Sequence, residues 1–357
     1  MNHQHQSTID LWERGTGDHH TYRIPALERT TSGVLLAFCE GRRDGGGDAG
    51  QIDILLRRSH DSGLSWETSR IITAEPGFTN GNPAPVVDRR TGTVVLVFCR
   101  NPSEGDETEI CAGRAARTVW VTRSTDEGLT WSDPEEITAD TKAADWTWYA
   151  TGPGHGVQLD SGRLVIPCDH AVGVRMDRWQ DPYRSHVILS DDGGRTWEVG
   201  GVLPEMTNES TIAQLPDGRL HFNVRNHART GRRGYAFSDD DGRTFGGLRW
   251  HPDLLEPTCQ GSVLTTPSGT LLLSHPFGEK RENLTIRSSG DGGETWSDGV
   301  VVTAGPAAYS DLVITDAGTV LCLYETGEET LYESLRLRTF MMDDLVSERS
   351  TDAVRHA

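Results

Sequence analysis

One short phrase recurs five times along the chain. It reads SHDSGLSW from Ser59, STDEGLTW from Ser124, SDDGGRTW from Ser190, SDDDGRTF from Ser238 and SGDGGETW from Ser289. Its Asp, Gly and Ser/Thr mark a tight turn, and its Trp or Phe marks an anchor between packed sheets. Each copy follows an alternating strand-like run: QIDILLRRS, RTVWVTRS, SHVILS, GYAFS or NLTIRSS. A second repeat, weaker in letters, is a glycine turn entering an apolar strand. It occurs six times, as TSGVLLAF, RTGTVVLVF, DSGRLVIP, PDGRLHFNV, PSGTLLLS and DAGTVLCLY. Interleaved, the two give a unit of strand, glycine turn, strand, variable loop, strand, phrase turn, strand.

Six such units predict an all-β fold, a six-bladed β-propeller of four-stranded antiparallel blades in one domain spanning residues 1–357. The absence of a sixth phrase has a topological explanation. The last unit, from Tyr309, supplies three strands, and its fourth is predicted to be the N-terminal TIDLW. Two strands from opposite ends of the chain cannot share a turn. Calcium ligation by the phrase aspartates is disfavoured, because neither the EF-hand register nor its terminal Glu is present.

The chain of 357 residues carries a formal net charge of -19, which argues against nucleic acid or an anionic membrane as partner. Any site for an anionic small molecule must therefore concentrate arginine locally. No apolar run approaches the length of a membrane span. The start, MNHQHQSTIDLWERG, lacks the basic and apolar regions of a secretory signal. The expected location is cytoplasmic, or secreted if a leader was removed. The six cysteines form no CxxC pair, and Cys39, Cys99 and Cys322 lie in apolar runs, as buried thiols do.

Antiparallel alternation sorts the loops. Both kinds of turn fall at one end of the units, so first-strand starts, second-strand ends and the variable loops share the other. That end collects Arg23, Arg42, Asp48, Glu209, Arg225, Arg281, Tyr309 and Glu325. Four arginines, three carboxylates and a tyrosine thus converge from separate units.

YRIPAL around Arg23, the five phrases (Asp boxes), and the order Arg, Asp, Glu, Arg, Arg, Tyr resemble the exo-α-sialidases, or neuraminidases, with Asp-box (BNR) repeats. The resemblance covers nearly the whole chain. It implies retaining hydrolysis of terminal α-linked sialic acids, with no cofactor and no metal. Arg23, Arg225 and Arg281 match the cluster that grips the sugar carboxylate through charge-assisted bonds. Glu325 matches the brace of the first arginine, and Arg42 a further arginine near a ring hydroxyl or the N-acyl side. Tyr309 matches the nucleophile, Glu209 its base and Asp48 the general acid/base. A neutral tyrosine escapes the repulsion a carboxylate nucleophile would feel from the substrate's own carboxylate. Asp48 must be protonated to act as an acid, so its pKa is expected to rise above about 3.9, by desolvation or by the substrate's charge.

The implied partner is a sialylated glycan or another sugar-acid glycoside; oligomeric state is open. Alternatives are hydrolysis of a deaminated (KDN) or Kdo-type sugar acid, transglycosylation, or glycan binding without catalysis. GGGDAG at 45–50 matches a dinucleotide motif by letters, but a strand rather than a helix follows. Trp146, Trp148 and Tyr149 are candidates for stacking on the leaving sugar or for packing under a loop. Asn82 is placed to shape the N-acyl pocket, while structural hydrogen bonds are expected for His155 and Asp169.

Overall fold

The apolar alternation of the repeats becomes an all-β architecture. The computed structural model describes residues 7–174 and 183–346, with three short helices among them. Hydrogen bonding gathers the described strands into four sheets, within which six successive antiparallel groups can be followed; a parallel pair, Ile52 with Thr79, joins the first two groups, and one long strand joins the last two. The first contains Thr21–Arg29, Leu35–Arg42, Ile52–Ser59 and Arg70–Thr73. The second contains Phe78–Asp88, Thr93–Pro102, Thr118–Ser124 and Glu135–Glu136. In the third, two pieces, Trp146–Thr151 and Val157–Gln158, pair with Leu164–Val172, followed by Tyr183–Ser190 and Glu198–Val202. The fourth contains Thr207–Gln214, Leu220–Asn226, Arg232–Ser238 and Arg249–Leu255. The fifth runs through Ser262–Thr265, Leu271–Pro276 and Glu282–Ser289 into the long strand Val300–Ile314. The far half of that strand opens the sixth, continued by Thr319–Thr326 and Ser334–Met341. The N-terminal strand Thr8–Glu13 completes it, antiparallel to Ser334–Met341.

The apolar faces pack in the same cyclic order. Phe38 and Ile54 of the first group meet Leu96 and Phe98 of the second. Clusters shared by the second and third, third and fourth, fourth and fifth, and fifth and sixth groups follow. A final cluster returns to the start, with Leu11 and Trp12 of the N-terminal strand beside Leu27, Leu35 and Leu323. All six cysteines are buried thiols outside any disulfide.

Buried Asp311 ties the first strands of three groups. Its carboxylate accepts from Leu27 N at 2.7 Å, from Ser262 Oγ at 2.6 Å and from His155 Nδ1 at 2.8 Å. His155, charged beside that carboxylate with its pKa up at about 9 despite burial, brings in the third group as the fourth member of the knot.

The five phrases fold alike. In each, the Ser Oγ accepts the N–H of a left-handed glycine four residues on, at 2.8–2.9 Å. The Asp accepts the backbone N–H of the Ser or Thr four residues on, also at 2.8–2.9 Å. In the four copies with Trp, the indole donates to the glycine carbonyl at 3.1–3.2 Å. The aspartates are thus consumed by the turn itself.

These bonds hold Asp126 at a pKa of about 2, chiefly through the Thr130 hydroxyl and N–H. Its stabilisation is complete above the unfolded carboxylate range, near 4, and is lost as pH falls from there through 2. Asp126→Asn should therefore destabilise the protein by about 1 kcal/mol at neutral pH. The gap from the parent in urea midpoint should shrink as pH is lowered from about 4 toward 2. A gap independent of pH would show that the charge on this turn does not matter.

Candidate active site

Five first strands break their pairing register at the same end of the molecule. The shifts lie between Arg23 and Ala26, Gly81 and Ala84, Trp146 and Tyr149, Thr207 and Ser210, and Ala307 and Ser310. An extra residue in one strand re-aims its side chains without disturbing the ladder beyond. Ile24, Asn82, Trp148, Asn208, Glu209 and Tyr309 sit within these irregularities. Ile24 and Asn82 adopt the left-handed conformation, with φ of 58° and 56°, rare for residues with a Cβ.

The re-aimed side chains line a cleft of about 260 Å³. Arg23, Arg42, Asp48, Glu209, Arg225, Arg281 and Tyr309 all face it. Glu325 lies behind, fully buried, and accepts from Arg23 Nε at 3.0 Å and Nη2 at 3.4 Å. It also accepts the backbone N–H of Ile24 at 3.0 Å and of Tyr309 at 3.2 Å. Arg43, the neighbour of Arg42, pairs with Asp53 at 2.6 Å.

Tyr309 stands among the arginines. Its hydroxyl donates to Glu209 Oε1 at 2.5 Å and accepts from Arg225 Nη1 at 3.0 Å, which also donates to Glu209 Oε2 at 2.6 Å. The guanidinium carbons of Arg23 and Arg281 lie 5.4 and 5.5 Å from the Tyr309 ring centroid. Burial pushes the phenol well above its usual pKa and the Glu209 charge adds to this, while Arg225, Arg281 and Arg23 oppose it. The resting hydroxyl is protonated, with a carboxylate in position to receive the proton.

Desolvation does not by itself raise the Asp48 pKa, which is lowered. Its upward push is outweighed by the charges of Arg42 and Arg23. Arg42 Nη1 and Arg23 Nη1 donate to Asp48 Oδ1 at 2.8 and 3.0 Å. The side chain is 70% exposed on a glycine-rich loop. Two guanidiniums hold the carboxylate ionised, and one of them is an arginine assigned to the substrate.

Sequence reasoning missed several wall residues. Buried Glu40 accepts from both Arg42 Nε at 3.0 Å and Nη2 at 2.7 Å, and from Asn82 N at 2.8 Å. Two residues before Arg42 on the same strand, it had a signal in the alternation that was not used. Tyr332 lies 4.0 Å below the Arg23 guanidinium and accepts from Arg281 Nη1 at 3.2 Å. Arg117 donates to the Tyr149 carbonyl and to Asn82 Oδ1, both at 2.5 Å, under the Trp148 ring. Trp148 reaches the cleft, whereas Tyr149 is buried and Trp146 stacks on His170. Asp169 lines the cleft, but His155 turns away toward Asp311. A larger cavity of about 590 Å³ lies among the opposite strand ends, bordered by Glu28, His155 and aliphatic side chains. It contains none of the eight site residues.

The BNR repeat-like domain family matches residues 33–322. The chain is 33% identical to a sialidase of Micromonospora viridifaciens over 92% of its own length and 53% of that protein's. It thus spans about half of that relative. It is 32% identical to mouse sialidase-3, covering 92% of each chain. The solved Hadza microbial sialidase Hz136 superposes with a TM-score of 0.85 at 28% identity, covering 95% of this chain and 69% of that one. The family match over most of the chain and the sialidase relatives indicate the glycoside hydrolase class. The chain belongs to the BNR-repeat sialidase family.

Removing Glu325 leaves Arg23 as a buried cation without its principal partner. Glu325→Leu should cost about 3–5 kcal/mol of stability, read as a fall in the chemical denaturation midpoint. A midpoint within error of the parent would mean that the buried pair is not what holds this corner.

Proposed function

We propose that the chain hydrolyses terminal α-linked sialic acids with retention, using Tyr309 as nucleophile, on a six-bladed propeller closed by the N-terminal strand. The propeller reading is supported by the six groups of strands and the cyclic sequence of apolar clusters. The observation that carries the chemistry is the 2.5 Å bond from the Tyr309 hydroxyl to Glu209 inside a ring of arginines.

A sugar acid with a carboxylate on its anomeric carbon places that anion among Arg23, Arg225 and Arg281. The anomeric carbon then lies over the Tyr309 oxygen. As the phenol attacks, its proton passes to Glu209, the tyrosyl–carbon bond forms, and the glycosidic bond breaks with Asp48 protonating the departing oxygen. In the second half, Asp48 takes a proton from water, the water oxygen bonds to the anomeric carbon, and Tyr309 leaves with its proton returned by Glu209. Two displacements at one carbon preserve configuration. A module that only binds glycans needs the arginines but gains nothing from a phenol paired with a base.

The resting ionisation of Asp48 sets a requirement on binding. Arg23 spends Nε and Nη2 on Glu325 and presents Nη1 to Asp48. The substrate carboxylate competes for that same Nη1 and adds a negative charge nearby. Both effects raise the Asp48 pKa, so occupancy of the clamp and protonation of the acid are coupled.

Tyr309→Phe should lower kcat on a fluorogenic N-acetylneuraminic acid glycoside by about 100-fold or more, with an unchanged circular dichroism spectrum. A variant retaining the parental rate would remove Tyr309 from the mechanism. Turnover of the N-acetyl substrate and of its deaminated analogue separates the sialic acid reading from its nearest alternative; hydrolysis of neither would refute both. Binding of a non-hydrolysable sialic acid analogue near pH 6 should take up a proton, seen calorimetrically as a heat that varies with buffer ionisation enthalpy. In Asp48→Asn the uptake should disappear, and uptake that persisted there would assign the proton to another group.

A further inference from the structure

Outside the cleft lies a buried ion pair that the mechanism above does not use. Arg233 and Glu256 are 0% and 2% exposed, and Arg233 Nη1 stands 3.6 Å from Glu256 Oε2. Both spend polar atoms on the short segment 256–260. Glu256 Oε2 accepts the N–H of Cys259 at 3.0 Å, and Arg233 Nη1 donates to the Cys259 carbonyl at 2.9 Å. The two charges thus hold both backbone groups of one residue. Arg233 Nε is itself fixed by Asn223 Oδ1 at 2.5 Å, and Glu256 Oε1 accepts the N–H of Asn226, next to Arg225, at 2.8 Å. The fit is close, since a Cβ on Gly261 would meet Arg233 Cζ at 3.2 Å.

What the segment carries gives this grip a purpose. Thr258, left-handed with φ of 55°, turns its carbonyl to Arg281 Nη2 at 3.0 Å. Cys259 clusters with Ile24, Ala308 and Tyr309. The Gln260 side chain bonds both backbone groups of Ser310, the residue after Tyr309: Oε1 accepts its N–H at 3.0 Å and Nε2 donates to its carbonyl at 3.1 Å. Arg281 is the arginine that needs such support. Arg23 is braced by Glu325 and Arg225 pairs with Glu209, whereas Arg281 makes no ion pair among the described residues. Its Nη groups donate to the Thr258 carbonyl and, at 3.2 Å, to the Tyr332 hydroxyl. A loop carbonyl can aim a guanidinium only where the loop is itself locked in place. We infer that Arg233 and Glu256 are positioning residues: by gripping Cys259 from both sides they hold the Thr258 carbonyl, and through it Arg281, in register with Tyr309. This rests on the sialidase reading and extends it to groups outside the cleft. A buried ion pair adds little stability over apolar residues of the same size, and its best-attested use is to fix a register.

The test measures the affinity of folded protein for two probes: a non-hydrolysable 2,3-unsaturated sialic acid analogue and its methyl ester, which lacks the charge that Arg281 grips. Glu256→Gln should raise the Kd of the free acid by about 10-fold and that of the ester by less than about twofold. In an Arg281→Ala background the same substitution should change the free-acid Kd by less than about twofold, because its effect travels through Arg281. Arg233→Met combined with Glu256→Leu removes both charges together and leaves neither uncompensated, which keeps the test decisive if Glu256→Gln fails to fold. The double variant should show the same selective loss on the free acid. Equal weakening of acid and ester, additive losses in the Arg281→Ala background, or parental affinities in the folded variants would each assign the pair a purely structural role and overturn the inference. A parent that binds neither probe and hydrolyses no sialic acid glycoside is a different result, seen before any variant is made, and would refute the sialidase reading itself.

Discussion

A single buried carboxylate carries the geometry of the cleft. Glu325 has no contact with solvent and spends both oxygens on groups from two parts of the chain: the Arg23 guanidinium, the Ile24 amide and the Tyr309 amide. Clustered arginines repel one another, and a guanidinium cannot shed its proton to relieve this. An anion must therefore be built in behind them. By also accepting two backbone N–H groups, Glu325 fixes the left-handed turn at Ile24 and the start of the strand bearing Tyr309. One charge thus neutralises the clamp and sets its distance from the phenol.

The electrostatics are divided between permanent and exchangeable partners. Glu325 and Glu40 are buried and permanent, each committed to one arginine and to backbone N–H groups. Asp48 is exposed and carried on glycines, so it can leave its arginines when another carboxylate arrives. On the proposed mechanism, the acid is kept ionised until the clamp is filled. This reconciles a strongly acidic protein with an anionic ligand, since the positive field of the cleft is local and its outermost counter-charge is displaceable.

Much of this was visible in the letters. The phrase turns, the alternation and the location of Arg23, Arg225, Arg281 and Tyr309 at one end all follow from residue type and spacing. The cyclic packing likewise follows from amphipathic strands that must cover one another. What could not be read was the irregular backbone. Nothing in YRIPAL announces that Ile24 turns left-handed, and nothing in TNESTIAQ announces the slip that aims Glu209 at Tyr309. These conformations are enforced by distant partners, such as Glu325 for Ile24 and Glu40 for Asn82, hundreds or tens of residues away. The Asp48 ionisation was not legible for the same reason: its charge state depends on how two arginines converge in space, not on the loop that bears it.

The register slips have one more consequence. Each spans only a few positions, and regular pairing resumes immediately behind it, at Ala26, Ala84, Tyr149, Ser210 and Ser310. The cleft-lining side chains therefore occupy a thin veneer over regularly paired ladders, so the veneer can be retooled while the frame beneath keeps its alignment.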